Sequence, residues 1–235
     1  MKALKAFQQQ NQTWTPLLTV TYSLVLIFLI ATFWIAKVQN IPMYVLVADP
    51  AEIAHKPPYM GLLSQIGILL WSGTLCICWF TASLLGKVKT GVARISWTEF
   101  LWSSGCLTLL FLLDDWLQIH EYTPVLLGFA SEPSGVPRFL QNSIEFAIYI
   151  VYVVIFSVYL WRYKSIFLQS NIVPIIVALS FLGISTAIDL LPHEHMRSHD
   201  LLEEGTKLIG ILSWFNYFVL LSQQRLRRQL AEVKP

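Results

Sequence analysis

The sequence predicts an all-α integral membrane protein, a polytopic bundle of about six transmembrane helices with both termini cytoplasmic. Three observations carry that expectation. First, 55% of the residues are hydrophobic and only 13% are charged, at a mean hydropathy of +0.59. A soluble domain carries about 25% charged residues, so this chain lacks the polar side chains to clothe a soluble surface. Second, six apolar runs approach the ~20 residues needed to cross a hydrocarbon core. Third, the basic residues alternate between the segments joining those runs as the positive-inside rule requires.

The expected spans are 15–36, 61–85, 97–120, 139–161, 172–191 and 202–222. They use most of residues 1–235, which points to one transmembrane helical domain without internal repeats. The run from Leu17 to Ile35 follows Lys2 and Lys5 as a signal peptide would. It is longer than a typical signal core and no small-x-small site follows, so it is expected to be retained as the first span. With a cytoplasmic amino terminus, the inner segments hold Lys2, Lys5, Lys87, Lys89, Arg94, Arg162, Lys164, Arg225, Arg227, Arg228 and Lys234. The outer side keeps only Lys37, Lys56, Arg138, Arg197 and Lys207. Trp97, Trp161 and Tyr163 suit the inner interface; Trp34, Tyr59, Trp116 and Tyr122 suit the outer one. Small residues at Ser72-Gly73, Ser83, Ser103-Ser104-Gly105 and Gly183 would let helices approach. Cys76, Cys78 and Cys106 lie within spans and are expected to be buried, inert thiols. A net charge of +2 gives no reason to expect a nucleic-acid partner. The expected setting is a bacterial inner or internal membrane.

The acids show the reverse asymmetry. Only Glu99 and Glu232 lie near the inner face. Asp49, Glu52, Asp114, Asp115, Glu121, Glu132, Glu145, Asp189, Glu194, Asp200, Glu203 and Glu204 lie in outer loops or outer halves of spans. The histidines His55, His120, His193, His195 and His199 join them. Topology needs no such layer, because acidic residues contribute little to orientation. Charges within hydrocarbon face the bundle interior and meet one another, so the layer implies a shared polar cavity in the non-cytoplasmic half.

Its densest segment is Asp114-Asp115-Trp-Leu-Gln-Ile-His120-Glu121. On an unbroken helix, Asp114, Gln118 and Glu121 would share a face, with Asp115 and His120 elsewhere. Gln141, Asn142, Glu145 and Tyr149 form one stripe of the span 139–161, and Ser185 and Asp189 share a face of 172–191. Lys207 lies within 202–222, three and four residues after Glu204 and Glu203. Its position calls for a counter-ion, for which Glu145 and Asp189 are the distant candidates. The loop His193-Glu194-His195-Met-Arg197-Ser-His199-Asp200 is most simply a hydrated turn.

Glu203-Glu204-x-x-Lys207 resembles the EExxK motif of the PrsW-type glutamic intramembrane proteases. Phe111-x-x-x-Asp115 is similar to that family's FxxxE motif, with Asp for Glu and on an earlier span. His195 has His199, not Asp, at the fourth position. The motifs stand in a different order, and the resemblance covers five residues without implying membership.

Three functions fit this layer. In the leading one, a membrane enzyme of hydrolase type works in the lipid bilayer on a lipid or membrane-peptide substrate. Its metal ligands come from Asp114, Asp115, His120, Glu121, Glu145, Asp189 and Glu204, a nitrogen and oxygen set suited to zinc, iron or manganese. Without a divalent metal, carboxylate acid–base chemistry falls to Glu145, Asp189, Glu204 and Lys207. The second is a structural or assembly subunit held to a membrane protein partner. The third is ion or proton transport, against which stands the scarcity of polar groups in the inner halves.

Overall fold

The computed structural model describes residues 61–85, 97–130, 135–189 and 199–233, with scattered positions between 23 and 40 and residues 54–55. The chain divides into two compact units, Met1–Met60 and Gly61–Pro235. In the first, the described positions from 23 to 38 are helical, and Ile27, Ile30, Phe33 and Trp34 are exposed. Most of the expected span 15–36 lies outside the described residues, as do Asp49, Glu52, His193, Glu194, His195 and Arg197.

The described residues of the second unit form helices joined by turns, bends and short irregular stretches, with no strand among them, which bears out the all-α expectation. The elements are α1 Leu62–Leu85, α2 Trp97–Leu117, α3 Ile119–Leu126, α4 Arg138–Leu168, α5 Val173–Asp189 and α6 His199–Val233. Among the described residues, Leu62–Leu85, Trp97–Leu117 and Phe139–Leu168 are long and apolar enough to cross a membrane, and α5 is a shorter apolar helix.

Local chemistry explains several ends. Pro137 precedes α4 at φ −57°, pre-set for a helix start where no N–H is needed. The Asn171 side chain accepts the Val173 N–H at 3.2 Å and caps α5, while Pro174 occupies the tolerant first turn. Gly128, at φ +81°, takes the left-handed conformation that closes α3.

Two helices outrun their expected spans. α4 continues to Leu168 through a kink at Tyr163 (φ −109°, ψ 16°). The extra turn buries Ile166 and Phe167, so tertiary packing sustains it. α6 runs 35 residues, about 52 Å at 1.5 Å each, because Gln, Arg and Leu after position 222 are good helix formers.

α1 packs between α2 and α6, α6 also carries α5, and α3 lies on α4. Aromatic rings fill the interior. Trp71, Phe111 and Trp214 meet at centroid distances of 5.7 to 6.1 Å, and Phe100 touches Tyr159, Tyr163, Phe167 and Phe218. Each such pair is worth about 0.5–1.5 kcal/mol beyond the area buried. Trp214 is fully buried, and its indole N–H donates to Thr108 Oγ1 at 3.1 Å, so no polar atom of the ring is stranded.

α4 is the helix least covered by protein: only 11% of its apolar window is buried. Phe139, Phe146, Val153, Val158 and Trp161 all point outward. In water that surface would be costly; against acyl chains it is not. α4 and α5 make almost no backbone contact with each other. Of the cysteines, Cys78 is buried as expected, but Cys76 and Cys106 are exposed.

Candidate functional site

One backbone residue organises the acidic layer. Gln118 adopts φ 49°, ψ 45°, a left-handed conformation that costs a non-glycine residue about 1–2 kcal/mol. It stops α2 at Leu117 and starts α3 at Ile119 in a new direction. The expected unbroken span 97–120 is therefore wrong at its outer end, and so is the face assignment built on it. The break brings His120 back onto Asp114. Asp114 Oδ1 accepts the His120 backbone N–H at 3.1 Å, and Oδ2 lies 2.9 Å from Nδ1. The far ring nitrogen, Nε2, is 3.8 Å from Glu121 Oε1.

Burial pushes the His120 pKa down, but the hydrogen bond and charge of Asp114, with the charges of Glu121 and Asp189, outweigh it. The net shift is upward from 6.5. Glu121, half-exposed, is pushed up chiefly by burial, with Asp189 and Glu145 adding to it against His120 and Lys207. The His120 ring also packs on Tyr149 of α4, at 5.5 Å between centroids.

The remaining groups pair across helices. Tyr149 donates to Asp189 Oδ2 at 2.9 Å, joining α4 to the end of α5. Ser185 donates to the Glu203 carbonyl at 3.1 Å, joining α5 to α6. Lys207 Nζ sits 2.9 Å from both Asp115 Oδ1 and Glu204 Oε1. The expectation that Glu145 or Asp189 neutralises Lys207 is corrected here. The azimuth of α2 sends Asp115 to α6, and Glu204 lies one helical turn away on the same face. Glu145 is buried and accepts from Gln141 Nε2 at 2.9 Å within α4.

Asp114, Asp115, His120, Glu121, Asp189, Glu204 and Lys207 thus line one cavity of about 430 Å³, together with Gln118, Tyr149, Tyr152 and Glu203. Glu145 is not among its lining residues. Deeper, the wall turns aromatic and apolar: Trp71, Phe111, Phe156, Leu179, Leu182 and Trp214. His199 and Asp200 open α6, but their side chains lie outside the described residues.

The shared cavity expected from the depth of the ionisable residues exists, but among the described residues its expected ligands do not gather into one cluster. Among the described residues, no three His, Cys, Asp or Glu side chains converge to hold a metal ion. The physical reason is pairwise commitment: Asp114 turns to His120, Asp115 and Glu204 to Lys207, Asp189 to Tyr149 and Glu145 to Gln141. Sequence reasoning missed Tyr152, Thr186 and the aromatic floor as cavity residues. The only signal for them was helical spacing: Tyr152 and Phe156 continue the Glu145–Tyr149 stripe at three- and four-residue steps.

Comparison with curated proteins and with solved structures finds no match. The family model described as "Domain of unknown function (DUF8692)" matches residues 21–221, well over half of the chain, and the protein belongs to that family.

Proposed function

We propose that this protein is a membrane enzyme of hydrolase type, with six spans and cytoplasmic termini, whose acid–base group is His120 in the non-cytoplasmic half. The observation that carries the proposal is the two-point grip of Asp114 on His120. A carboxylate bonded to Nδ1 selects the tautomer, holds the ring and stabilises the imidazolium, leaving Nε2 to exchange protons. That nitrogen belongs to a residue lining a cavity large enough for a substrate headgroup.

In the reaction envisaged, His120 Nε2 removes a proton from water as its oxygen adds to the carbonyl or phosphoryl centre of an ester. The bond to the alcohol then breaks, and the departing alkoxide takes that proton from His120. Water and ester become acid and alcohol, and the histidine is restored. Lys207, held by Asp115 and Glu204, lines the same cavity and can donate a hydrogen bond there. Asp189 and Glu204 line the same space, and Glu145, outside the lining, accepts from Gln141 within α4.

The test is turnover of chromogenic acyl and phosphoryl esters of long-chain alcohols by purified protein in lipid nanodiscs. Wild type should hydrolyse at least one, and His120→Gln should lose about 100-fold or more in rate while keeping a cooperative melt. If wild type cleaves none of them, or His120→Gln keeps its full rate, the proposal fails. A structural role for the paired charges would then be the better account.

A further inference from the structure

The cavity has a route of access that the acid–base groups do not use. α4 and α5 both wall it, yet they make almost no contact along their lengths. Val153 and Ser157 on α4 and Gly183 on α5 line the cavity and are exposed. These positions sit well inside their helices, about one to two turns from the Tyr149–Asp189 hydrogen bond at the polar end. In a bilayer the gap faces acyl chains, not water. The gap is open at Gly183, where an added Cβ would meet nothing within 4 Å.

The two ends of the cavity differ in chemistry. Its polar end carries six carboxylates against one lysine and one histidine. Tyr149 and Tyr152 line the cavity beside those acids. Its inner end is aromatic and aliphatic. Such a space repels an anionic headgroup and suits a cationic one whose chain runs through the slot.

We propose that the cavity takes an amphiphile with a cationic, amine or quaternary ammonium headgroup, which enters sideways from the bilayer between α4 and α5. This rests on the same cavity as the acid–base reading and names its substrate class. Binding is nonetheless separable from turnover, because the probe can be one that no hydrolase cleaves.

The experiment uses the full chain in phosphatidylcholine nanodiscs. It reads the saturable quenching of tryptophan fluorescence by chain-brominated dodecyltrimethylammonium, with brominated dodecyl maltoside and brominated dodecyl phosphate as neutral and anionic partners. Trp71 and Trp214 line the cavity and report occupancy, and a Trp71→Phe, Trp214→Phe variant sets the background from lipid-facing tryptophans. The ammonium probe should bind about tenfold more tightly than either partner. Asp189→Asn should narrow that preference, and Gly183→Phe should abolish saturation without lowering the melting temperature. Should Gly183→Phe unfold the protein, Gly183→Leu and Ser157→Phe test the same slot from its two sides. Equal binding of the three probes overturns the headgroup assignment. Full binding by the plugged, folded variants overturns lateral access. Saturable ammonium binding with no ester hydrolysis would leave this inference standing and sink only the hydrolase reading.

Discussion

His120 and Lys207 show how single residues set the polar end. The folded-state pKa of His120 lies above its unfolded value of 6.5, because the partners of the imidazolium outweigh its burial. The stabilisation is therefore complete below about pH 6.5 and is lost as pH rises through the raised value. Thermal melts in detergent from pH 5 to 9 should show the melting temperature falling across that window, and falling less in His120→Gln. In turnover the sign reverses: the base form of Nε2 gains population only as pH climbs above 6.5, so the rate should rise over the same range. Lys207 poses a different problem. Asp115 is largely buried, and its second oxygen has no hydrogen-bond partner among the described residues, so Lys207 is its evident neutraliser. Lys207→Met should cost about 2–4 kcal/mol, the range for breaking a buried pair with some relief from partial exposure. Lys207→Met with Asp115→Leu should recover part of it. Chemical denaturation of the three proteins checks both statements.

At the scale of the helix, close approach and open space can be told apart glycine by glycine. A Cβ on Gly210 would come within 2.7 Å of Leu182 Cγ and 3.0 Å of the Leu182 backbone nitrogen, so α5 and α6 touch backbone to backbone there. Gly210→Val should destabilise by roughly 1–3 kcal/mol, whereas Gly183→Ala should be neutral or slightly stabilising, as alanine is the better helix former. Paired melting curves decide it. The sequence pointed to Gly183 as a packing residue and passed over Gly210, because a small residue marks permission for contact, not its direction. Helix identity was legible for a similar reason: apolar length is a one-dimensional signal. The expected 61–85 and 172–191 differ from α1 and α5 by two residues or fewer at each end. The outer end of α2 was not legible, since nothing in Gln118 itself demands a left-handed turn. With that turn unforeseen, the Asp114–His120 pair was unforeseen too.

For the molecule as a whole, the gathering of acids at one depth was visible in the sequence, while their pairings depend on how helices are rotated and ordered about the bundle. No spacing rule supplies that order. The proposed topology makes its own prediction. Reporter fusions after Pro235 and within the segment 86–96 should both report a cytoplasmic location, and a fusion between 190 and 198 should report the opposite side. A C-terminal fusion on the non-cytoplasmic face would remove the six-span arrangement.

The central place of α1, packed on both α2 and α6, carries a consequence for biogenesis. Trp71 leaves the ribosome early, but its partner Trp214 is made some 140 residues later. Until α6 is made, α1 and α2 lack the ring that packs on Trp71, and Asp115 lacks Lys207. Packing of α1 on α6 is thus deferred until α6 has been made. A nascent chain arrested before residue 199 holds Asp115 without its cation and Trp71 without the Trp214 ring.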